Sequence, residues 1–237
     1  MCGIFGYTGI LDTRERLLTG LSHLEYRGYD SCGLCLEVNG KHKIVKTPSR
    51  VVNLAKITKT LPKSSCGISH TRWATHGEVS ESNAHPFKVG RVTLVHNGIV
   101  ENYAEIKNRL LNEGVTLSSS TDSEVACGLI SSYFSENTHP CVAIFNATKE
   151  LRGAFAFGLM FEGYEGRIFA FRQKSPLVIA RSENGYFLSS DTYAFLPYTN
   201  EYYELEEGEI CEKTECSGRG ILFFYGWGDI EVNVYIE

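Results

Sequence analysis

Cys2-Gly3-Ile4-Phe5-Gly6 follows directly on Met1, and the fold turns on how these residues are read. An initiator methionine is usually trimmed when the next side chain is small, and cysteine is small. The mature chain is therefore expected to begin with a residue that carries both a thiol and a free α-amine. A thiol needs a base to become a nucleophilic thiolate. An α-amine, with an ordinary pKa of about 7.7–8.0, can take that proton near neutral pH. Taken alone, Cys2 is more simply a buried cysteine in a first β-strand, because cysteine is commonly internal. The rest of the chain reverses that preference.

The chain has 237 residues, 43% of them hydrophobic, and a formal net charge of -5 with both signs interspersed. That length fits one large domain or two small ones with a sizeable core. The charge balance argues against a nucleic-acid partner and against a polybasic membrane anchor. No apolar run approaches the roughly 18 residues of a transmembrane helix; Ile221-Leu222-Phe223-Phe224-Tyr225 is only strand-sized. The N-terminus carries no basic segment followed by an apolar one, so no signal peptide is expected and the compartment is read as cytoplasmic. The cysteines at 2, 32, 35, 66, 127, 141, 211 and 216 are then reduced thiols. Cys32-Gly33-Leu34-Cys35 has metal-ligand spacing but lies in a strand-like run without a second ligand pair, so neither metal nor cofactor is expected.

Patterning places helices and strands in blocks. Asp12–Leu24 reads as a helix with Leu17, Leu18, Leu21 and Leu24 on one stripe. Ser31–Val38 and His42–Lys46 read as strands joined by Asn39-Gly40, a type I′ hairpin signal. Val51–Leu61 is a weaker amphipathic helix, and Gly67–His70 and Val92–His96 are short strands flanking a polar loop. Tyr103–Glu113 reads as a helix with Ile106, Leu110 and Leu111 inward, stopped at Gly114. Thr121-Asp122-Ser123-Glu124 is a capping box opening a helix to about Phe134, and Pro140 starts another that ends near Gly153. The remainder is strand-rich. A single two-sheet α+β domain accounts for this order.

The polar stretches carry the chemistry. His70-Thr71-Arg72-Trp73-Ala74-Thr75-His76-Gly77 is too polar for a core strand and reads as a functional loop. Arg72 offers a planar fork for a carboxylate, and Trp73 an apolar plate over a small ligand. Asn97 can aim an amide N–H and Gly98 lets its backbone N–H approach closely, together an oxyanion hole. Asp122, in the first turn of a helix, can pair with an ammonium; its simpler role is to complement the helix dipole. A nucleophile, a carboxylate clamp, an ammonium clamp and an oxyanion hole suit a free α-amino acid with a reactive side-chain carbonyl, and glutamine is the natural candidate.

With these residues in view, the chain resembles the class II glutamine amidotransferases, a branch of the N-terminal-nucleophile hydrolases. Within them it is most similar to the glutaminase domain of the glucosamine-6-phosphate synthases. The resemblance rests on Cys2–Gly6, Leu24–Ser31, His70–Gly77, Asn83–Pro86, Val95–Tyr103, Thr121–Glu124, Leu151–Ala154 and Ser175–Ile179. It runs to about Glu209. Tyr26-Arg27-Gly28-Tyr29 and Arg72–Gly77 favour the sugar-phosphate branch over the purine-pathway one. The resemblance implies a four-layer αββα sandwich of two antiparallel sheets, with an amidotransferase domain over 2–215 and an unassigned strand-rich segment over 216–237. It implies Cys2 as nucleophile and its own α-amine as base, with Asn97 and Gly98 at the oxyanion. Arg72 and Asp122 would bind the carboxylate and ammonium of L-glutamine, and Trp73, Thr75 and His76 would form a lid. Arg27 and Asp30 would support the N-terminal cysteine. His85 is read as structural, and the other histidines receive no chemistry.

The resemblance also implies a partner. A sugar-phosphate isomerase domain or subunit with fructose 6-phosphate as acceptor is expected, because no isomerase half is present in these residues. Self-association is left open. Two departures from the family pattern stand out: Cys32 where alanine is usual, and Ala180 where glycine is usual, which would disturb the turn if that position needs a positive φ. The competing readings are a glutaminase domain serving another acceptor, a glutamine-binding regulatory module without useful turnover, and, more distantly, a metal or redox protein built on Cys32 and Cys35.

Overall fold

A computed structural model of the chain describes residues 2–73 and 78–214. Strand β1 (Gly3–Gly9) is wholly buried and leads into helix α1 (Thr13–Leu24), which Asp12 caps by accepting the Arg14 N–H. Strands β2 (Ser31–Val38) and β3 (Lys41–Thr47) form the expected hairpin. Its turn has Asn39 at φ 52 and Gly40 at φ 69, as a type I′ turn requires. Helix α2 (Val51–Ile57), strand β4 (Cys66–Arg72), the short strand β5 (Phe87–Val89) and strand β6 (Val92–Val100) follow. Helices α3 (Tyr103–Asn112), α4 (Asp122–Tyr133) and α5 (Pro140–Glu150) come next. Strands β7 (Gly153–Phe161), β8 (Arg167–Gln173), β9 (Val178–Ser182), β10 (Gly185–Ser189), β11 (Tyr202–Glu204) and β12 (Ile210–Thr214) complete the order.

Two antiparallel sheets result, β11-β9-β10-β1-β4-β2-β3 and β12-β8-β7-β6-β5. Each is covered by helices on one face and by the other sheet on its second face. Leu17, Leu21 and Leu24 of α1 and Leu54 of α2 pack on Phe5, Tyr7 and Phe187 of the first sheet. Helices α3, α4 and α5 bury Ile106, Leu110, Ile130 and Ile144 against Phe155, Phe157 and Phe169 of the second. Ile4, Ile68, Val95, Met160 and Leu188 fill the space between the sheets. This is the four-layer αββα sandwich that the motifs imply. Among the described residues, no helix is long and apolar enough to cross a membrane.

Several local expectations are corrected. His70, Thr71 and Arg72 belong to β4 and are buried, because β4 lies between β1 and β2 in the middle of the first sheet. Polarity there marks a site built into a strand, not a loop. Asn97 and Gly98 likewise lie within β6, paired with Ala156 and Phe155, where the apolar run suggested a strand end. Helix α2 stops at Ile57, where the Thr58 hydroxyl bonds the Leu54 carbonyl and competes with the next turn. Leu111 is exposed, since only Ile106 and Leu110 face the core. Thr121 caps α4, but the Glu124 carboxylate turns to the Ser118 and Ser119 N–H groups instead of closing a capping box. Ala180 sits in β9, paired with Phe187 and Tyr202, without a positive φ, so the alanine is not strained. Cys32 and Cys35 face opposite sides of β2, one toward α1 and one between the sheets, which prevents joint chelation.

Glu162 links the two sheets at one pair of edges. Glu162, just past β7, accepts from Lys88 of β5 at 2.7 Å and from the His42 backbone N–H of β3 at 3.1 Å. Burial alone would raise its carboxyl pKa, but Lys88 and the His42 N–H reverse this and hold it at about 2, below the ordinary 4.5. A carboxyl depressed by folding contributes stability that is present above pH 4.5 and is lost as the pH falls toward 2. Glu162→Gln should therefore lower the urea midpoint at neutral pH and flatten the decline in stability between pH 4.5 and 2. An unchanged acid limb in Glu162→Gln would contradict this account of the edge.

Candidate active site

The alternation of side chains along strands brings the site together. Ile4 and Ile68 face the space between the sheets. Two residues before Ile4 and four after Ile68, Cys2 and Arg72 fall on the same side. Val95 of the second sheet also faces inward, and Asn97 follows two residues later. The register Gly3 opposite Thr71 sets Arg72 and Trp73 beside Cys2.

The Cys2 backbone is clamped. Its carbonyl accepts from Arg27 Nε at 3.1 Å and from Asn97 Nδ2 at 3.1 Å. The Trp73 N–H points at the Cys2 Sγ at 3.4 Å. Arg27 is itself held by Asp191, with Nη1 at 2.8 Å from Oδ2. Tyr26 donates to the same oxygen at 2.6 Å. Burial pushes the Cys2 thiol pKa up, opposed by the Trp73 N–H and by the Arg72 and Arg27 guanidinium groups. The thiol is thus protonated at neutral pH and needs a base close by.

A cavity of about 150 Å³ opens at the thiol, with walls that include Cys2, Arg72, Trp73, Gly98, Tyr103 and Asp122. Arg72 is buried at the end of β4, and its Nη1 reaches the Glu78 carbonyl at 3.4 Å. Asp122 stands at the first position of α4 and accepts the Val100 N–H at 2.8 Å. That bond ties α4 to the end of β6. Gly98 has φ 124, and a Cβ there would run into the Ala154 carbonyl oxygen. Trp73 is 44% exposed at the rim, edge-on to Tyr29 with ring centroids 5.6 Å apart. A buried cation and a carboxylate in one small cavity beside a thiol can hold a zwitterion with its side chain at the sulfur.

Cys2, Arg72, Trp73, Gly98 and Asp122 all line this cavity, and Asn97 adjoins it through the Cys2 carbonyl. Arg27 lies against Cys2, while Asp30 contributes a backbone N–H to the Arg72 carbonyl at 3.0 Å. Thr75 and His76 lie outside the described residues. Sequence reasoning missed Asp191, which has no local signal because its partner is 164 residues away. His85, read as structural, and His96, assigned no chemistry, form part of the cavity wall, with His70 behind them. Inward alternation along Ile68, His70 and Arg72 was the readable clue.

Elsewhere, His139, Cys141 and Glu212 bring three potential metal-ligand atoms within 4.8 Å of one another. Nδ1 of His139 accepts the Cys141 N–H, which leaves the ring proton on Nε2, facing Glu212 at 3.5 Å. Arg167 binds the other carboxylate oxygen at 2.6 Å. This cluster reads as an ion-pair network, not a metal centre.

A family profile described as the glutamine amidotransferase domain matches residues 70–197, more than half of the chain. The chain is 42% identical over 218 residues to glutamine--fructose-6-phosphate aminotransferase [isomerizing] of Acinetobacter baylyi, covering 92% of this chain and 36% of that protein. It is 43% identical over 218 residues to the enzyme of the same name from Symbiobacterium thermophilum, covering 90% of this chain and 35% of the relative. The chain thus spans about a third of the length of these relatives. Among solved structures, it superposes on the glutamine phosphoribosylpyrophosphate amidotransferase of Bacillus subtilis with a TM-score of 0.77 and 26% identity. That match covers 93% of this chain and 50% of that one. An allosteric regulatory enzyme of purine biosynthesis matches with a TM-score of 0.78 and 27% identity, over 89% of this chain and 46% of that one.

Gly98→Ala forces a side chain onto a positive φ and against Ala154, so it should cost about 1–3 kcal/mol of stability. Chemical denaturation checks this; a midpoint equal to wild type would mean that β6 relaxes at this position without cost.

Proposed function

The chain belongs to the glutamine amidotransferase domain family, and on that premise we propose that it hydrolyses glutamine to glutamate and ammonia through Cys2. The observation that carries this reading is the clamp on the Cys2 carbonyl by Arg27 and Asn97 at the head of a cavity that Arg72 and Asp122 share. Arg72 takes the α-carboxylate of glutamine and Asp122 its α-ammonium, which leaves the side-chain amide at the sulfur. Trp73, with Thr75 and His76, closes over the substrate. Arg27 and Asp30 support the N-terminal end of β1.

Removal of Met1 frees the α-amine of Cys2. That amine takes the thiol proton as the sulfur attacks the amide carbon, and the carbonyl electrons move to oxygen. One hydrogen of the Asn97 amide is engaged by the Cys2 carbonyl; the second, with the Gly98 N–H, stabilises the oxyanion. The ammonium returns its proton to the leaving nitrogen, the C–N bond breaks and ammonia departs. Water then hydrolyses the γ-glutamyl thioester to glutamate.

The acceptor proposed for the ammonia is fructose 6-phosphate, bound by a sugar-phosphate isomerase domain or subunit, in cytoplasmic hexosamine synthesis. Support for this comes from identity near 42% to the sugar-phosphate aminotransferases against 26–27% to the purine-pathway structures. Another acceptor would leave the glutaminase chemistry unchanged.

Cys2→Ala should abolish glutamate release while the fold survives, because the clamp holds the carbonyl of residue 2 and not its side chain. Asn97→Ala should lower kcat on the order of 10²–10³-fold with little change in KM. The acid limb of kcat/KM should follow the α-amine, near an ordinary value of about 7.7–8.0. Steady-state glutamate release across pH tests all three; full turnover by Asn97→Ala would remove the oxyanion assignment.

A further inference from the structure

His85 and, on β6, His96 form part of the cavity wall, and His70 of β4 lies behind them, all three buried. The His70 and His85 rings lie face to face, with centroids 4.0 Å apart and an interplanar angle of 30°. Of the three, His70 has the hydrogen bonds that bear on the proposed chemistry. Its Nε2 is 2.9 Å from the backbone carbonyl oxygen of His96 and 3.1 Å from Oδ1 of Asn97.

Donor and acceptor roles follow from these contacts. A backbone carbonyl only accepts, so Nε2 of His70 carries a hydrogen. The Asn97 atom that faces it must then be the oxygen, because a flipped amide would set NH₂ against N–H. With Oδ1 held on His70, Nδ2 is turned to the Cys2 carbonyl, where it donates at 3.1 Å. His70 thus grips β6 at two consecutive residues and orders both the strand and the amide.

The tautomer is locked as well. Nδ1 of His70 is buried with no hydrogen-bond partner among the described residues. A proton placed there would be a charged donor without an acceptor. Burial holds the imidazole pKa down to about 3, against the weaker opposing pull of Asn97 and the His96 carbonyl. The ring therefore stays neutral at any pH at which a glutaminase works.

We propose that His70 is a positioning residue: as the neutral Nε2–H tautomer it fixes the flip of the Asn97 amide, and so aims the Asn97 N–H groups at the Cys2 carbonyl and at the developing oxyanion. This inference rests on the proposed role of Asn97. A free amide could turn over and present its oxygen to both of those oxygens, an arrangement that repels the transition state while leaving glutamine binding at Arg72 and Asp122 intact.

The test measures glutamate release from L-glutamine by the full chain and four variants: His70→Phe, His70→Gln, Asn97→Ala and the Asn97→Ala/His70→Phe double variant. Glutamine at 70 keeps an N–H donor at about the reach of Nε2, whereas phenylalanine fills the space without one. His70→Phe should lose on the order of 10- to 10²-fold in kcat, no more than the loss of the donor itself, with KM within a few-fold of wild type. His70→Gln should recover most of that loss, and His70→Phe should cost nothing further in the Asn97→Ala background. Equal losses from His70→Phe with and without Asn97, or a raised KM at unchanged kcat, would overturn the inference and leave His70 a packing residue. Full activity in Asn97→Ala would overturn the oxyanion assignment itself, and no glutamate release by the wild-type chain would overturn the glutaminase reading. Should His70→Phe fail to fold, His70→Asn takes its place, since its amide is too short to reach Oδ1.

Discussion

The backbone carbonyl of Cys2 is where the molecule converges. Arg27, on the turn after α1, and Asn97, on the opposite sheet, both donate to it. Strand β1 runs from that point through the middle of the first sheet, between β10 and β4, and is buried along its length. At its start, Ile4 exchanges hydrogen bonds with Ser190, through the Ser190 Oγ at 3.0 Å and the Ser190 N–H at 3.1 Å. A residue that ends a chain is ordinarily among the most mobile. Here the carbonyl is fixed from two layers, Arg27 after α1 and Asn97 on the second sheet.

The same geometry governs the electrostatics. Burial makes the Cys2 thiol reluctant to ionise, so the thiolate exists only when a base takes its proton in place. The histidines nearby are poor candidates for that base. His70 and His85 are buried deep enough that burial drives their pKa values well down, and His96 shares the direction despite the pull of Asp122. They supply a rigid neutral wall, with His96 bonded to Ser123 at the start of α4. In the proposed mechanism the α-amine of Cys2 does the acid–base work near neutral pH.

Much of this was legible in the residues. The leucine stripe of α1 and the Asn39-Gly40 turn predicted their elements because each follows from local geometry. The motif residues Cys2, Arg72, Gly98 and Asp122 meet in one cavity, as their complementary chemistry suggested. Polarity misled where a strand passes through the site. His70, Arg72 and Asn97 are polar and buried, since they lie at or behind a cavity between two sheets and not in a hydrocarbon core. The Arg27–Asp191 and His70–Asn97 contacts join residues 164 and 27 apart in sequence through tertiary packing, and no window of residues reports them. Helix α2 ended early because a threonine hydroxyl competed for a backbone carbonyl, an effect too local for periodicity to register.

The central claim is that Cys2 acts as an N-terminal residue, with its own amine as base. Intact mass, recorded before and after exposure to diazo-oxo-norleucine, a glutamine-analogue electrophile, tests it most directly. The account predicts a chain that lacks Met1 and gains a single adduct, mapped to Cys2, while any fraction that keeps Met1 stays unlabelled. Labelling of the Met1-retaining chain at the same rate, or an adduct at another residue, would contradict it.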